Sequence, residues 1–383
     1  MTRKDFIKAC GLLGIGLPFS NTIVGRENDD LQKSKVIIIG AGAAGLSVAY
    51  LLKKQNVNFI ILEATAVFGG RMKINTTFSD FPIALGAEWI SSANIDFSPF
   101  MDAPSVLQHI EIVDYLPTEE YWLKSGNKIL TGTLNTFPDR KFVNSSWFNF
   151  FKDFVLPDVQ AAIKYQKEVV SIDYGNKTIN VQCADEQFYA DKVVVTTPLP
   201  LLTKINFKPA FPAKKLKALN EVVYWNGFKA FIEFEEHFYP SFADYLIQPE
   251  TSGQVSFYDA AWGQKTDKHI LGLFSVGQPA DKYGSLSDDE FKTTILQELD
   301  ELFEGKASKH YIKHIKQNWL EEPFAKGAYV SDYTQPKTVA KLQRPIEGKV
   351  YFAGDAYTDG SDWGNVHNAI QSAKQCVENL KKR

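Results

Sequence analysis

Hydrophobic positions change their spacing along the chain, and the changes predict where strands and helices alternate. Residues 36–39 are a continuous run of apolar, β-branched residues, which is typical of a strand buried on both faces. Residues 43–54 are rich in alanine and leucine and are predicted to form a helix, and residues 59–62 are a second short apolar run. A strand, a helix and a strand in this order predict a parallel βαβ unit.

A second group of apolar runs begins near the middle of the chain. Residues 167–172 and 178–181 flank a Gly-Asn turn and predict a β-hairpin. Residues 193–197 form a further apolar strand that Pro198 ends. This segment therefore continues the sheet-forming part of the chain.

Residues 228–234 predict a strand with two unlike faces. Its apolar face carries Phe228, Ala230, Ile232 and Phe234. Lys229 lies on the other face. Because a strand lysine is usually exposed to solvent, the pattern alone predicts Lys229 at the surface.

Composition excludes several classes of function. The 383 residues are 44% hydrophobic, which supports a large core and two or three domains. A net charge of -3 provides no excess of positive charge for binding nucleic acid, so a nucleic-acid partner is not expected. Cys10, Cys183 and Cys376 are too scattered for a disulfide framework or a zinc site. His310 and His314, four residues apart, are predicted to lie on a solvated helix face and not to bind metal.

Three glycines stand between the first predicted strand and its helix. Gly40, Gly42 and Gly45 have the G-x-G-x-x-G spacing, and Glu63 ends the second strand. In such a unit the glycines make a tight turn, admit a pyrophosphate and allow the helix to pack on the strand, while the acid accepts ribose hydroxyls. The complete constellation predicts a bound adenine dinucleotide.

A glycine pair follows this unit. Gly69 and Gly70 precede Arg71, and residues 86–89 read Gly-Ala-Glu-Trp. The glycines permit close backbone approach to a ligand, and an arginine is a forked donor for phosphate oxygens. Taken alone, an ordinary turn with a solvated Arg71 is the simpler interpretation.

Two segments near the C-terminus complete the pattern. Residues 350–355 are an apolar run that ends in Ala-Gly-Asp, and residues 363–369 open a final helix. In this order the motifs resemble the flavin-containing amine oxidase family, from about Lys35 to the C-terminus. The resemblance implies an α/β fold, in which a Rossmann-type FAD-binding domain carries an inserted substrate domain of mixed sheet plus helices.

The resemblance also implies domain boundaries and cofactor contacts. The FAD-binding domain would comprise residues 31–89, 166–204 and 341–383, and the substrate domain residues 90–165 and 205–340. The implied FAD-binding residues are Gly40, Gly42, Ala44, Gly45, Glu63, Ala64, Gly69, Gly70, Arg71, Gly86, Ala87, Glu88, Trp89, Val169, Trp319, Gly354, Asp355, Gly364 and Val366. Among these, Val169 would contact the adenosine through its backbone and Asp355 would bind the ribityl chain. The helix N-terminus near Val366 would face the flavin N1 and C2 carbonyl.

Three residues are implied to act at the reacting end. Lys229 matches the family's active-site lysine, which holds a water against flavin N5. Tyr329 would form one aromatic wall before the flavin, although composition alone equally favours a core tyrosine. Asn365 falls where many members place the second wall, so we expect a polar or charged amine as substrate. Ala328 replaces the cysteine that tethers flavin in some members, so we expect noncovalent FAD. Asn368 stands where the family usually has glycine.

The implied reaction is FAD-dependent oxidation of an amine. A hydride would leave the carbon next to nitrogen for flavin N5, the imine would hydrolyse, and oxygen would reoxidise the flavin to give hydrogen peroxide. Two alternatives stay open: a flavin desaturase or dehydrogenase that acts on carbon–carbon bonds with another acceptor, and a noncatalytic flavin-binding partner protein. The segment 90–165 is shorter than in full-length relatives, so the pocket is either more open or completed by a second subunit of a homodimer.

The first 30 residues differ from the rest of the chain. Arg3 and Lys4 precede an apolar run of about 11 residues, too short for the ~20 residues of a membrane-spanning helix. This leader resembles a twin-arginine export signal in which lysine replaces the second arginine, which predicts an exported or periplasmic protein. The alternative is a frayed amphipathic N-terminus on a cytoplasmic protein.

Overall fold

The computed structural model describes residues 31–90, 110–134, 139–246 and 253–382. The predicted leader, residues 1–30, lies outside the described residues, as do parts of the segment 90–165. No helix among the described residues is long and apolar enough to span a bilayer.

In the part of the chain that the structure describes, the strands fall into three larger sheets and three small pairings. In chain order they are β1 (Lys35–Ile39), β2 (Asn58–Leu62), β3 (Ile74–Asn75), β4 (Ile83–Ala84), β5 (Ile112–Asp114), β6 (Glu120–Ser125), β7 (Lys128–Thr133), β8 (Arg140–Phe142), β9 (Ile163–Lys164), β10 (Val169–Asp173), β11 (Ile179–Cys183), β12 (Gln187–Ala190), β13 (Lys192–Val195), β14 (Asn206–Lys208), β15 (Tyr224–Trp225), β16 (Gly227–Phe234), β17 (Phe242–Tyr245), β18 (Gly253–Asp259), β19 (His269–Gly277), β20 (Tyr311–Asn318), β21 (Tyr329–Val330) and β22 (Val350–Phe352).

Helices cover these sheets. They are α1 (Ala43–Lys54), α2 (Trp147–Phe154), α3 (Leu156–Val159), α4 (Leu199–Leu202), α5 (Ala213–Glu221), α6 (Gln278–Gly284), α7 (Asp288–Phe303), α8 (Lys306–His310), α9 (Pro336–Leu342) and α10 (Val366–Lys381), with 3-10 turns at Gly70–Met72 and Gln160–Ala162.

The first sheet is the predicted parallel one. Its strand order is β22-β13-β1-β2-β9, and β1 runs parallel to both β2 and β13. Val36 and Ile38 belong to one buried cluster together with residues of α1 and α10, whereas Ile37 and Ile39 belong to another on the opposite face. The prediction that the first apolar run is a strand buried on both faces is therefore confirmed.

The predicted hairpin is also present. Strands β10 and β11 are antiparallel neighbours in a second sheet with the order β12-β11-β10-β14. This sheet packs its apolar side into the same cluster as Ile37 and Ile39. The second sheet therefore attaches the predicted hairpin, which contains the implied cofactor contact Val169, directly to the parallel sheet.

The third sheet carries the predicted two-faced strand. Its order is β20-β16-β19-β18-β17-β6-β7. The apolar face of β16 packs with residues of α7, as its alternation predicts. Lys229 on the opposite face is only 3% exposed, so the surface position predicted from the pattern alone is wrong. The reason is that both faces of this central strand are covered.

The prediction that His310 and His314 lie on a solvated helix face is also wrong. His310 ends α8, but His314 lies in strand β20 and pairs with Ile232 of β16. His310 is buried at the end of α8. The His314 side chain is 6% exposed, because β20 packs its inner face under α7. Among the described residues no group of three or more His, Cys, Asp or Glu side chains could hold a metal ion.

Helices α2 and α3 lie on the parallel sheet's side of the molecule. Trp147, Phe150, Phe151, Val155 and Val159 are buried in one cluster with residues of α1. The predicted domain boundaries assign these helices to the substrate domain, yet their apolar side chains pack into the dinucleotide-binding layer. The boundaries themselves stay a prediction.

Candidate active site

One cavity connects the parallel sheet with the seven-stranded sheet. Its volume is about 1630 Å³, more than the roughly 300–1,000 Å³ of a pocket for one small ligand. Every residue that the sequence predicted for the site lines this cavity except Gly45 and Gly69. The predicted residues, which span more than 320 positions of sequence from Gly40 to Val366, are therefore brought together.

The glycine-rich turn has the form that a phosphate cradle requires. Gly40 has a φ of +103°, and a Cβ on Gly45 would lie 1.9 Å from the Gly40 carbonyl oxygen, so α1 can pack against β1 only with glycine there. At Gly42 a Cβ would meet no atom within 4 Å and would enter the cavity. Gly42 is also the N-cap of α1 and supplies no side chain, which leaves the first helical N–H groups available to an anion.

Glu63 is held in a fixed orientation beside this turn. Its Oε2 accepts from the Ala41 backbone N–H at 2.7 Å, and its Oε1 accepts from the backbone and hydroxyl of Thr65 at 2.9 and 2.8 Å. Oε2 therefore keeps a further acceptor position, whereas the two Thr65 donors occupy both lone pairs of Oε1. Thr65, which the sequence analysis missed, positions the acid that was predicted to bind ribose.

The Gly-Gly-Arg loop lies against the same turn. Gly69 and Gly70 have φ angles of +116° and +55°, which favour glycine, and the Gly69 N–H donates to the Ala41 carbonyl at 2.9 Å. The loop therefore presents Arg71 to the cavity instead of to bulk solvent. An ordinary turn with a solvated arginine is not what the structure contains.

Arg71 joins three separate parts of the chain. Its guanidinium makes a bidentate ion pair with Asp355, donates to the Ala328 carbonyl, and donates to the Tyr224 hydroxyl at 3.1 Å. Burial alone lowers the pKa of Arg71, but Asp355 together with Tyr224 and Tyr357 outweighs burial and raises it. The family resemblance implies separate contacts of Arg71 and Asp355 with the cofactor. The structure shows that they also orient each other, and it adds Tyr224, for which the sequence gave no signal.

Lys229 forms a buried ion pair with Glu88. Its Nζ lies 2.6 Å from Glu88 Oε2, 2.9 Å from the Ala84 carbonyl oxygen and 3.2 Å from the Gly86 carbonyl oxygen. Three acceptors use all three N–H donors of an ammonium group. To hold a water at the flavin, as the resemblance implies, Lys229 must give up its hydrogen bond to one of these three acceptors. The hydrogen bond to the Gly86 carbonyl is the longest of the three.

Two further groups secure Glu88. Lys141 Nζ lies 3.3 Å from Glu88 Oε1, and the Tyr258 hydroxyl donates to Oε2 at 2.6 Å. Burial raises the pKa of Glu88, but the charges of Lys229 and Lys141 outweigh it and hold the pKa below its usual value. Burial lowers the pKa of Lys229, and Glu88 opposes that shift. Glu88 is thus an anion that ties the loop after β4 to the seven-stranded sheet.

Tyr329 and the start of α10 meet at one end of the cavity. A Cβ on Gly364 would lie 3.3 Å from the Tyr329 ring, so the two implied wall positions are neighbours in space. Asn365 is the N-cap of α10, and its backbone N–H donates to Asn368 Oδ1 at 3.0 Å. Asn368 is 1% exposed and donates through Nδ2 to Asp362 at 3.0 Å. Asn368 therefore fits where the family usually has glycine, because Asp362 accepts a hydrogen bond from its side-chain amide.

The far side of the cavity was not predicted from the sequence. Its floor is formed by Phe274, Ser256 and Asp244 of the seven-stranded sheet, and a stacked pair, Phe68 and Phe148 with ring centroids 4.5 Å apart, lines another wall. Single residues of these types carry no motif. Only the strand register of the folded sheet places them together.

The cavity fits a dinucleotide. Gly42 leaves space for a pyrophosphate at the uncapped start of α1, Glu63 is oriented for a ribose, and the volume exceeds that of a small substrate. Arg71, Asp355 and the N-terminus of α10 lie along the same cavity and would face the rest of such a cofactor.

Comparison with known families is consistent with this geometry. Residues 155–381 match the sequence profile described as "Flavin containing amine oxidoreductase", and residues 38–103 match "NAD(P)-binding Rossmann-like domain". The first match covers more than half of the chain. The chain belongs to the flavin containing amine oxidoreductase family. Family membership confirms the predicted resemblance and implies FAD as the dinucleotide.

Individual relatives of this chain are distant. "Amine oxidase [flavin-containing]" of Oncorhynchus mykiss is 22% identical over 264 residues, which cover 67% of this chain and 49% of the relative. "Polyamine oxidase 1" of Zea mays is 22% identical over 456 residues, with 90% of each chain covered. The chain thus spans about half the length of the first of these relatives and most of the second.

Solved structures show the same fold. A redesigned putrescine oxidase variant superimposes with a TM-score of 0.76 at 15% identity and covers 91% of this chain and 98% of its own. Cyclohexylamine oxidase from Brevibacterium oxydans IH-35A gives a TM-score of 0.74 at 14% identity, with 91% and 99% covered. The predicted fold, a Rossmann-type parallel sheet with a mixed-sheet domain, is therefore confirmed.

Proposed function

We propose that this protein oxidises an amine with noncovalently bound FAD and passes the electrons to oxygen, releasing hydrogen peroxide. The observation that carries the proposal is that Tyr329, Asn365 and Lys229 line the same cavity as the dinucleotide-binding loops. Family membership and the names of the relatives support amine chemistry.

The bound flavin would supply the hydride acceptor, and the protein supplies position and environment. Tyr329 gives an aromatic face that attracts an amine and excludes water. The Glu88–Lys229 ion pair fixes the loop at residues 86–89 against the seven-stranded sheet, and the Arg71–Asp355 pair fixes the loops that would hold the cofactor. The N-terminus of α10 directs partial positive charge into the cavity, where it stabilises negative charge.

Turnover in air tests the proposal. The FAD-loaded protein, incubated with a panel of primary and secondary amines, is expected to release hydrogen peroxide and the matching aldehyde or ketone in equal amounts. Oxidation of carbon–carbon bonds without amine turnover would favour the desaturase alternative. Absence of any turnover with any amine, in a protein that binds FAD, would favour the noncatalytic alternative.

Noncovalent attachment is a separate prediction. Ala328 occupies the implied tether position, and among the described residues the free cysteines Cys183 and Cys376 are buried without lining the cavity. Acid precipitation of the holoprotein is therefore expected to release all of the yellow chromophore into the supernatant. Flavin retained on the denatured pellet after washing would contradict this prediction.

The identity of residue 365 is expected to set substrate preference. Asn365 offers an amide where the family often has an aromatic ring, so the wild type should prefer polar or charged amines. Asn365→Tyr adds a second ring beside Tyr329 and should raise kcat/KM for benzylamine relative to a polyamine. Asn365→Ser, which keeps an N-cap side chain, is the control for loss of the cap. A wild type that already prefers benzylamine, or an unchanged ratio in the tyrosine variant, would contradict the prediction.

A further inference from the structure

A row of side chains crosses the floor of the cavity. Lys229 of β16 lies opposite Phe274 of β19, Phe274 lies opposite Ser256 of β18, and Ser256 lies opposite Asp244 of β17. Directly opposed residues of antiparallel strands point to the same face of a sheet. All four residues line the cavity, so the row runs from the Lys229 end to a carboxylate.

The two ends of this row differ in chemistry. Near the Lys229 end, a Cβ on Gly227 would lie 2.7 Å from the Ala328 Cβ, and Trp225 pairs with Tyr329, where the amine would react. Asp244 lies three strand spacings away, about 14 Å across the sheet. Phe274 between them offers an apolar surface to a hydrocarbon chain.

Asp244 is held in place by two hydroxyl groups, and burial raises the pKa of its carboxyl, a shift that a neighbouring cation would oppose. The Tyr121 hydroxyl donates to its Oδ2 at 3.1 Å, and the Ser256 hydroxyl donates to its Oδ1. These two donors leave acceptor positions on both oxygens. Among the residues that the structure describes, no lysine, arginine or histidine forms an ion pair with Asp244, whereas two other acids that line the cavity, Glu88 and Asp355, are each paired.

We propose that Asp244 is a specificity-determining residue that binds a second cationic nitrogen of the substrate, so that the preferred substrates are diamines or polyamines with one nitrogen near Tyr329 and another at Asp244. This inference rests on the proposed amine oxidation and names its substrate class. The carboxylate supplies the charge, Tyr121 and Ser256 orient it, and Phe274 packs against the methylene chain between the two nitrogens.

A series of α,ω-diaminoalkanes of increasing length, compared with n-alkylamines of the same length, tests the inference. The wild type should favour the best diamine over its matched alkylamine by at least about tenfold in kcat/KM, the size expected for a hydrogen bond between charged groups. Asp244→Asn keeps the shape but removes the charge: its amide oxygen still accepts from one hydroxyl, and its amide nitrogen can only donate to the other. It should therefore reduce this ratio to about one, mainly through KM.

Asp244→Glu provides a readout that a structural role would not give. Its carboxylate reaches one methylene further into the cavity, so the preferred diamine should become shorter while the preference for diamines is kept. Asp259→Asn removes another buried acid of the same sheet, one that does not line the cavity, and should leave the ratio unchanged.

The outcomes separate the inference from the proposed function. Equal efficiency with diamines and alkylamines in the wild type, or an undiminished preference in Asp244→Asn, would overturn the role of Asp244 and leave amine oxidation standing. An unchanged length optimum in Asp244→Glu would also overturn it. If no amine of either series is oxidised, the proposed function and the inference both fail.

Discussion

Gly42→Ala is expected to fold normally and to bind FAD at least about 100-fold more weakly, a loss of about 2.8 kcal/mol. A Cβ at position 42 meets no protein atom within 4 Å, and the φ of -80° suits alanine. The methyl group would instead occupy the space where the pyrophosphate must approach the first N–H groups of α1. Titration of the apoprotein with FAD, followed by flavin fluorescence, measures the change in Kd.

Two other glycines serve as controls for this variant. Gly132→Ala also adds a methyl group with no atom within 4 Å, but on the edge strand β7 outside the cavity lining, so FAD affinity should be unchanged. Gly45→Ala would place a Cβ 1.9 Å from the Gly40 carbonyl and should lower thermal stability even without FAD. Unaltered FAD affinity in Gly42→Ala would show that the cofactor does not lie on this turn.

Lys229→Met is expected to retain FAD and to slow flavin reduction by the amine, or flavin reoxidation by oxygen, by at least about tenfold, which is about 1.4 kcal/mol of barrier. The substitution removes the only lysine among the described residues that both lines the cavity and pairs with Glu88. Glu88 keeps Lys141 and the Tyr258 hydroxyl, so the stability loss should stay below the about 3–5 kcal/mol of a fully broken buried pair. Stopped-flow measurement of each half-reaction gives the two rates.

Lys141→Met is the matched control for this experiment. It removes the other positive charge from the same Glu88 carboxylate, but Lys141 does not line the cavity. If Lys229 acts at the reaction site, only Lys229→Met slows the half-reactions, and both variants lose similar stability. Equal effects of the two substitutions on both rates would reduce Lys229 to a structural partner of Glu88.

Much of the fold could be predicted because local patterns and packing agree. The run at 36–39 is apolar at every position, and the structure covers β1 on both faces. The alternation in β16 correctly placed four apolar residues in one cluster. The pattern failed at Lys229 and His314 because their burial depends on what packs over the other face of the sheet. The spacing of apolar residues along one segment contains no information about that packing.

Residues of the candidate site could be predicted only where they belong to a recognisable sequence motif. Glycines with fixed spacing and an acid at a strand end are visible in sequence, so Gly40, Gly42 and Glu63 were found. The Arg71–Asp355 pair joins residues 284 positions apart, and the row from Lys229 to Asp244 exists only through the register of four strands. Such contacts depend on tertiary pairing, which periodicity does not determine.

Anaerobic titration of the FAD-loaded protein with an amine tests the central claim most directly, because it needs no assumption about the electron acceptor. Under the proposed function, a diamine is expected to bleach the flavin absorbance fully, with one aldehyde formed per flavin, and admission of oxygen should restore the absorbance with release of hydrogen peroxide. Flavin that stays oxidised under every amine, in a protein that holds stoichiometric FAD, would contradict the assignment of this cavity as an amine oxidation site.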